Sequence, residues 1–278
     1  MQLVNGYKLM DYAKEKGLVL PAFNTTNYEL TAAIIKGYQS TGLGGYIAIS
    51  SSNLKLSSPK IIADMVKSVM QDFSTPIALH LDHGKSFEDV KACIEAGFTS
   101  IMVDASHLPF EENIEEVKRT VEYCHFYGIP VEAELGAISG KEDDHVSEGD
   151  DKTNPEDIQE FVERTNCDLL AVAIGNVHGM DLTPNLDFPL LEKIAKLSSV
   201  PLVLHGGSGI PFDQVRRAKE QNLIKVNYGS DLRQAFIRTF GQAYEQNHNE
   251  FDIMSLSKDA IINVEERVKA IIAEVNGK

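Results

Sequence analysis

An α/β chain closed into a (β/α)8 TIM barrel, with extra helices at its N- and C-termini, is the fold class this sequence predicts. Three observations predict it. Short apolar runs alternate with longer amphipathic stretches along the whole chain. The runs number eight, the count that closes a parallel sheet into a barrel rather than leaving it open. Nearly every ionisable residue within a run sits toward its C-terminal end, the end at which barrels assemble their chemistry. The 278 residues are expected to form a single domain, 1–278, because barrels of this kind commonly occupy about 250 residues as one unit.

The expected strands are Val19–Asn24, Tyr46–Ser50, Ile77–Asp82, Ser100–Ser106, Pro130–Leu135, Leu169–Gly175, Pro201–Gly206 and Leu223–Gly229. Each is close to a continuous apolar run, the pattern of parallel strands covered on both faces. Helical periodicity fills the intervals, as in Tyr28–Ser40, Pro59–Gln71, Phe87–Ala96 and Asn113–Phe126. The lead-in Gly6–Lys16 and the tail Ser255–Asn276 read as the extra helices. Gly136–Thr153 is the longest polar interruption and follows the fifth expected strand. A loop that long inside a compact domain is usually functional or disordered, and its place after a strand puts it on the active face.

The net charge is −15. Binding a nucleic-acid backbone calls for a basic surface, so no nucleic-acid partner is expected. Anionic small molecules would need local devices: a metal, backbone N–H groups or a placed arginine. The three cysteines, Cys93, Cys124 and Cys167, form no C-x-x-C pair. They read as incidental thiols of a reduced, cytoplasmic protein. The N-terminal segment is too charged for a signal peptide, and no apolar run is long enough for a membrane span.

The chemistry-bearing residues cluster at strand ends. His83, His178 and His205 lie at the ends of three different expected strands. A lone strand-end histidine is more often a hydrogen-bonded structural group. Three on one face read better as a metal site, since three protein ligands plus an open position describe catalytic zinc. His80, two residues before Asp82 and within the strand, is expected to point into the barrel and serve structure. Asp82 precedes His83 directly, so in an extended chain the two would face opposite ways. Gly84 permits a turn that brings both to the mouth of the barrel. Asp82 then suits proton transfer on a metal-bound substrate, or alternatively orients a ligand histidine. His205-Gly206-Gly207-Ser208-Gly209 is a glycine-rich turn where backbone N–H groups could approach a phosphate. Asn227–Ser230 supplies the matching segment after the eighth strand, a frequent phosphate site in barrels. The plainer reading of that segment is a helix start with Ser230 as cap.

Taken together, Pro21-Ala22-Phe23-Asn24, Leu79-His80-Leu81-Asp82-His83, Asp104-Ala105-Ser106-His107, Val131-Glu132-Ala133-Glu134, the run from Ala171 to His178-Gly179, and Leu204-His205-Gly206-Gly207-Ser208-Gly209 resemble the class II ketose-bisphosphate aldolases. The resemblance is to the tagatose- and fructose-bisphosphate branch and runs in order over about residues 20–235. It implies reversible cleavage of a ketose 1,6-bisphosphate to dihydroxyacetone phosphate and an aldehyde such as glyceraldehyde 3-phosphate. It implies one catalytic Zn²⁺ on His83, His178 and His205, and proton exchange between Asp82 and the C4 hydroxyl. Asp104 and Glu134 match acidic positions for a second or displaced metal, and Glu132 would orient a ligand histidine. Gly179, Gly206, Gly207, Ser208, Asn227, Tyr228, Gly229 and Ser230 match the segments that bind the triose phosphate, with a Na⁺ or K⁺ ion beside it. Glu142, in the long loop, would exchange the C–H proton of the triose. Ser51 falls near a substrate-contacting serine. Arg233 resembles an arginine that grips the distal phosphate, its plain alternative being a surface residue. A homodimer or homotetramer is expected.

The physics agrees with such chemistry. Breaking the C3–C4 bond leaves an enediolate, whose charge a Lewis-acidic metal stabilises, so no Schiff-base lysine is required. Only Lys225 lies within an expected strand core. The sugar stays open, because Gly229 stands where fructose enzymes often carry Asp and tagatose enzymes Ala. Alternatives are an aldolase for a ketose 1-phosphate with another distal anion, a metal-dependent sugar-phosphate epimerase or lyase on the same barrel, and a non-catalytic sugar-phosphate binder.

Overall fold

The structure, a computed structural model, describes the chain except residues 1–2, 139, 143–144, 148–151, 180–182 and 278. In chain order the helices and strands are α1 (Gly6–Lys16), β1 (Leu20–Asn24), α2 (Tyr28–Thr41), β2 (Gly45–Ser50), α3 (Ser51–Leu56), α4 (Pro59–Val69), β3 (Ile77–Gly84), α5 (Phe87–Ala96), β4 (Ser100–Val103), α6 (Phe110–Phe126), β5 (Val131–Leu135), β6 (Gly140–Glu142), β7 (His145–Ser147), α7 (Ile158–Thr165), β8 (Leu169–Val172), α8 (Phe188–Leu197), β9 (Leu202–Leu204), α9 (Phe212–Lys219), β10 (Leu223–Tyr228), α10 (Ser230–Gln246) and α11 (Ile253–Asn276). Eight parallel strands close in the order β1-β10-β9-β8-β5-β4-β3-β2, as the eight apolar runs predict. The two strands outside the barrel, β6 and β7, pair antiparallel, with Glu142 opposite His145.

Strand alternation sorts the residues into two cores. One set of side chains, including Phe23, Ile47, Leu79, Leu81, Ile101, Val131, Leu170 and Val226, packs outward beneath the helices. The alternate set, including Leu20, Ala22, Tyr46, Ala48, Ala78, Met102, Leu169, Ala171 and Val203, fills the barrel interior. Helix α1 adds Leu9, Met10 and Ala13 to that inner cluster. Backbone bonds from Val4 to Ile77 and from Gly6 to Thr99 tie it to the starts of β3 and β4. It therefore closes the N-terminal end of the barrel. Going up the barrel, the same inward-facing positions turn polar: His80 and Asp82, Glu132 and Glu134, Lys225 and Asn227, all buried. The site is built on the inner row of the strands themselves, the most rigid support the fold offers.

Several strands end earlier than their apolar runs suggest, and the polar residues are the reason. β4 stops at Val103 rather than Ser106. There Asp104 Oδ1 accepts bonds from Ser106 N at 3.0 Å and Ser106 Oγ at 2.7 Å, a side-chain turn that competes with the ladder. β8 stops at Val172 rather than Gly175, and β9 at Leu204 rather than Gly206. The long loop differs too: β6 and β7 lie inside Gly136–Thr153. Gly, Lys, Glu, His, Val and Ser offer little apolar alternation to announce strands so short. At its far end the segment is pinned: Thr153 N donates to Ala173 O at 2.9 Å, Ala173 N donates to Thr153 Oγ1 at 2.8 Å, and that hydroxyl also donates to Leu135 O. Among the described residues, no helix is long and apolar enough to cross a membrane.

Candidate active site

The Asp82–His83 pair is placed by an irregularity in β3. Pairing with β4 shifts register between Leu81 and Gly84, and His83 takes φ 114°, in the left-handed region. For a non-glycine residue this costs on the order of 1–3 kcal/mol and persists where surroundings over-determine it. Part of the over-determination is visible: Ser51 Oγ, at the start of α3, donates to the His83 carbonyl oxygen. The extra residue of a bulge re-aims side chains. Asp82 and His83, neighbours in sequence, thus reach the same cavity, and His83 Nε2 lies 3.6 Å from Asp82 Oδ1. Ser51 thus holds the His83 backbone.

Three imidazoles meet there. The donor nitrogens of His83, His178 and His205 lie within 4.8 Å of one another. His83 Nε2 and His205 Nδ1 are 2.9 Å apart, and the His178 ring centroid is 6.1 Å from that of His83 and 5.9 Å from that of His205. His205 Nε2 donates to Glu132 Oε1 at 2.9 Å, which leaves Nδ1 free of a proton and facing the cluster. Burial holds His205 well below the usual histidine range, helped by the adjacent His83, so the neutral, metal-binding form persists. A second donor set, His83, Asp104 and Glu134, shares the His83 ring, with His83 Nδ1 3.3 Å from Asp104 Oδ2. Ser106 Oγ bridges Asp104 and Glu134 at 2.7 and 3.3 Å. Three imidazoles with carboxylates alongside fit a divalent zinc-type ion.

Asp82 is fully buried and held at both oxygens. Asn24 Nδ2 donates to Oδ2 at 2.7 Å and Asn227 Nδ2 to Oδ1 at 2.8 Å. Burial alone would raise its pKa, but the facing His83, the Lys225 ammonium and the Asn24 bond outweigh it and bring it down to about 2. For Asp104 the burial penalty is outweighed by the His83 bond and charge and by the Ser106 donors, which hold that carboxyl well below the usual range. Both carboxylates are therefore ionised at neutral pH. Asn24 was visible in the Pro21–Asn24 motif, yet nothing local in the sequence showed that its amide grips Asp82. Lys225 was also missed as a site residue: it donates to Glu132 Oε2 at 2.8 Å and to Asn227 Oδ1 at 2.7 Å. His80, as expected, serves the interior, its Nδ1 2.8 Å from Ser100 Oγ and its ring against Tyr46.

Beside the histidines lies a cleft lined by Asn24, His178, Gly179, Gly206, Ser208, Asn227, Gly229, Ser230 and Arg233. Gly206 has φ 71°, and a Cβ there would fall 2.0 Å from Val177 O, so only glycine fits this turn. α10 opens with Ser230, presenting its N-terminal N–H groups to the same cleft. Ser208 Oγ accepts from Asp231 N at 3.2 Å, and Arg267 of α11 holds Asp231 Oδ1 at 2.7 Å, which fixes this end of α10. Two more expected residues are placed. The Tyr228 ring does not line the cleft: it is buried in the outer core, 6.0 Å from Phe23, because alternation from inward Asn227 points it out of the barrel. Arg233 lines the same cleft as Ser208 and Ser230. Three residues along α10 from Ser230, it returns to the same helix face. Gly140 forms a bridge to His178, so β6 begins against the histidine cluster. Glu142 ends β6, and its side chain lies outside the described part of the structure, as do Asp143 and Asp144.

The comparisons decide the family. A family model described as class II fructose-bisphosphate aldolase matches residues 4–278. The chain belongs to that family. A fructose-bisphosphate aldolase of Geobacillus stearothermophilus is 40% identical over 268 residues, covering 94% of this chain and 93% of that one. A fructose-bisphosphate aldolase of Staphylococcus epidermidis is 38% identical over 278 residues, covering 99% and 97%. The crystal structure of the YdjI aldolase from Escherichia coli K12 superposes with a TM-score of 0.86 at 31% identity, over 99% of this chain and 97% of that one. This class II aldolase is accordingly a lyase of the glycolytic type, and its barrel is the fold of its structural neighbours.

Proposed function

We propose that this class II aldolase is zinc-dependent and reversibly cleaves a ketose 1,6-bisphosphate, of fructose or tagatose configuration, to dihydroxyacetone phosphate and glyceraldehyde 3-phosphate. The observation that carries the reading is a buried, ionised carboxylate, Asp82, held by two amides beside a three-imidazole cluster and a cleft lined by glycines, serines and Arg233. His83, His178 and His205 would hold the Zn²⁺, which when bound supplies Lewis-acid stabilisation of the enediolate charge. Asp82 accepts the C4 hydroxyl proton as the C3–C4 bond breaks and the bonding pair stays with the triose half. The C4 fragment leaves as the aldehyde. Glu142 then delivers a proton to the former C3 carbon, completing dihydroxyacetone phosphate. Gly179, Gly206, Ser208, Ser230 and the backbone after β9 and β10 bind the triose phosphate, with a Na⁺ or K⁺ ion beside it. Asp104 and Glu134 provide the second metal position.

Arg233 offers a fork of donors beside Ser208 and Ser230, at the triose phosphate. The distal group of the sugar is then left to other residues, and a ketose 1-phosphate ending in another anion is the second reading of the same site. Exposed apolar side chains on and between α10 and α11, among them Ile237, Tyr244, Phe251 and Met254, support a homodimer or homotetramer. The test is a panel scored by kcat/KM over fructose and tagatose 1,6-bisphosphates and ketose 1-phosphates with a distal carboxylate. Two trioses from a hexose bisphosphate, with kcat/KM at least tenfold above the carboxylate substrates, are expected. A preference for the carboxylate substrate replaces the first reading by the second, and epimerised rather than cleaved product rejects both.

A further inference from the structure

Lys225 is the one described lysine sealed inside the barrel, fully buried at an inward position of β10. A buried ammonium needs partners on all its donors or it destabilises the fold. Two are a carboxylate and an amide oxygen: Glu132 Oε2 at 2.8 Å and Asn227 Oδ1 at 2.7 Å. The face of Tyr46 lies below, its centroid 5.6 Å from the nitrogen. The proton-transfer chemistry proposed above makes no use of this lysine, and its amine is turned away from the cleft, into paired contacts.

Its effect comes from direction. An ammonium only donates and a carboxylate only accepts, so together they order every group between them. Because Lys225 donates to Asn227 Oδ1, the Asn227 amide cannot flip. Its Nδ2 must face Asp82 Oδ1, 2.8 Å away. Because Lys225 occupies Glu132 Oε2, Glu132 offers Oε1 to His205 Nε2 at 2.9 Å, which fixes that proton on Nε2 and the lone pair on Nδ1. Nδ1 is the atom 2.9 Å from His83 Nε2, inside the histidine cluster. One cation thus sets the polarity of two chains, Lys225–Asn227–Asp82 and Lys225–Glu132–His205. They end on the carboxylate and on the imidazole that the proposed chemistry uses.

We propose that Lys225 is a positioning residue that couples the orientation of Asp82 to that of the His205 ligand nitrogen. The inference rests on the reading of Asp82 and the histidines given above. It predicts a defect at both ends from one substitution that touches neither. In Lys225→Met holoenzyme, kcat falls roughly 10–100-fold with KM changed less than threefold, and zinc affinity, read by chelator competition without substrate, falls roughly 10–100-fold, the scale of groups that orient metal ligands. The Co²⁺-substituted variant shows an altered visible absorption spectrum. In Lys225→Met/Glu132→Gln, which removes both charges of that ion pair, thermal stability recovers while kcat stays below that of Glu132→Gln alone, because Asn227 is still unordered. A purely structural lysine gives the opposite result, a kcat equal to that of Glu132→Gln alone, and overturns the proposal. So does a folded Lys225→Met protein with unchanged zinc affinity and kcat. If neither variant folds, NMR of the wild-type holoenzyme decides. Scalar coupling from Lys225 Nζ to the Glu132 carboxylate carbon, with His205 protonated at Nε2, is expected; no coupling, or protonation at Nδ1, overturns it. A failure of the ketose-bisphosphate reading shows instead in the wild-type substrate panel, and leaves the metal-affinity and NMR results standing.

Discussion

Replacing Asp82 by alanine removes the carboxylate and nothing else of the cluster. Its oxygens are held by Asn24 and Asn227 at 2.7 and 2.8 Å, while the approach to His83 Nε2 is a longer 3.6 Å. Two of the three imidazoles keep supports of their own, Glu132 for His205 and Asp104 for His83. Zinc content should therefore stay near one per chain. The rate should not: loss of a placed acid–base group costs roughly 10²–10⁴-fold, or about 2.7–5.4 kcal/mol in the barrier at about 1.36 kcal/mol per decade. Stability should shift less. Two buried amides each lose an acceptor, at about 1–3 kcal/mol apiece, offset in part because a buried charge has also gone. Stopped-flow cleavage assays, metal analysis and thermal melts on the same preparation separate these effects. A variant that loses its zinc, yet turns over near the wild-type rate when reloaded, refutes the assignment and makes Asp82 a metal-supporting group.

Other outcomes follow from the same geometry. Glu142→Ala should slow exchange of the triose C–H proton in deuterated water far more than it weakens binding of dihydroxyacetone phosphate; unchanged exchange moves that base elsewhere. Arg233→Ala should weaken dihydroxyacetone phosphate and the bisphosphate by similar factors of roughly 10–100, the scale of about 1.5–3 kcal/mol for a charge-assisted contact, since Arg233 shares the cleft of Ser208 and Ser230. A loss confined to the bisphosphate would return Arg233 to the distal group. Burial pushes the Cys124 and Cys167 thiols up to about 12 from 9.0, and Cys93 higher still. The folded chain thus keeps protons that the unfolded chain releases, so their contribution to stability is intact below about 9 and is lost as pH rises toward 12. Native protein at pH 8 should react negligibly with a disulfide reagent and release three thiols per chain only in denaturant; rapid native labelling contradicts the buried placement.

Much of this molecule was legible before its structure. Eight buried parallel strands announce themselves because both faces are covered, which makes each a continuous apolar run. His83, His178 and His205 were legible because barrel topology brings strand ends together whatever the loops do. What the sequence hid was anything decided by side-chain direction. Asp82 and His83 were expected to reach one cavity through a turn at Gly84; the structure instead uses a register shift with positive φ at His83 itself. Tyr228 read as part of a binding segment, but alternation sends it to the outer core. Asn24 reaches Asp82, and Lys225 reaches Glu132, across the barrel from distant positions, so these bonds are invisible to any local pattern. The hairpin β6–β7 carries too few apolar residues to show its period.

The central claim is metal-dependent aldol cleavage at the His83–His178–His205 cluster with no covalent lysine intermediate. The measurement is cleavage of fructose 1,6-bisphosphate by chelator-stripped protein, by the same protein reloaded with Zn²⁺ or Co²⁺, and by native enzyme treated with borohydride during turnover. The account predicts activity lost below about one per cent on stripping, in keeping with the several kcal/mol a Lewis-acid metal supplies, recovered on reloading, and no reduced substrate–lysine adduct by mass spectrometry. Full activity in the stripped protein, or an adduct on a lysine, contradicts it.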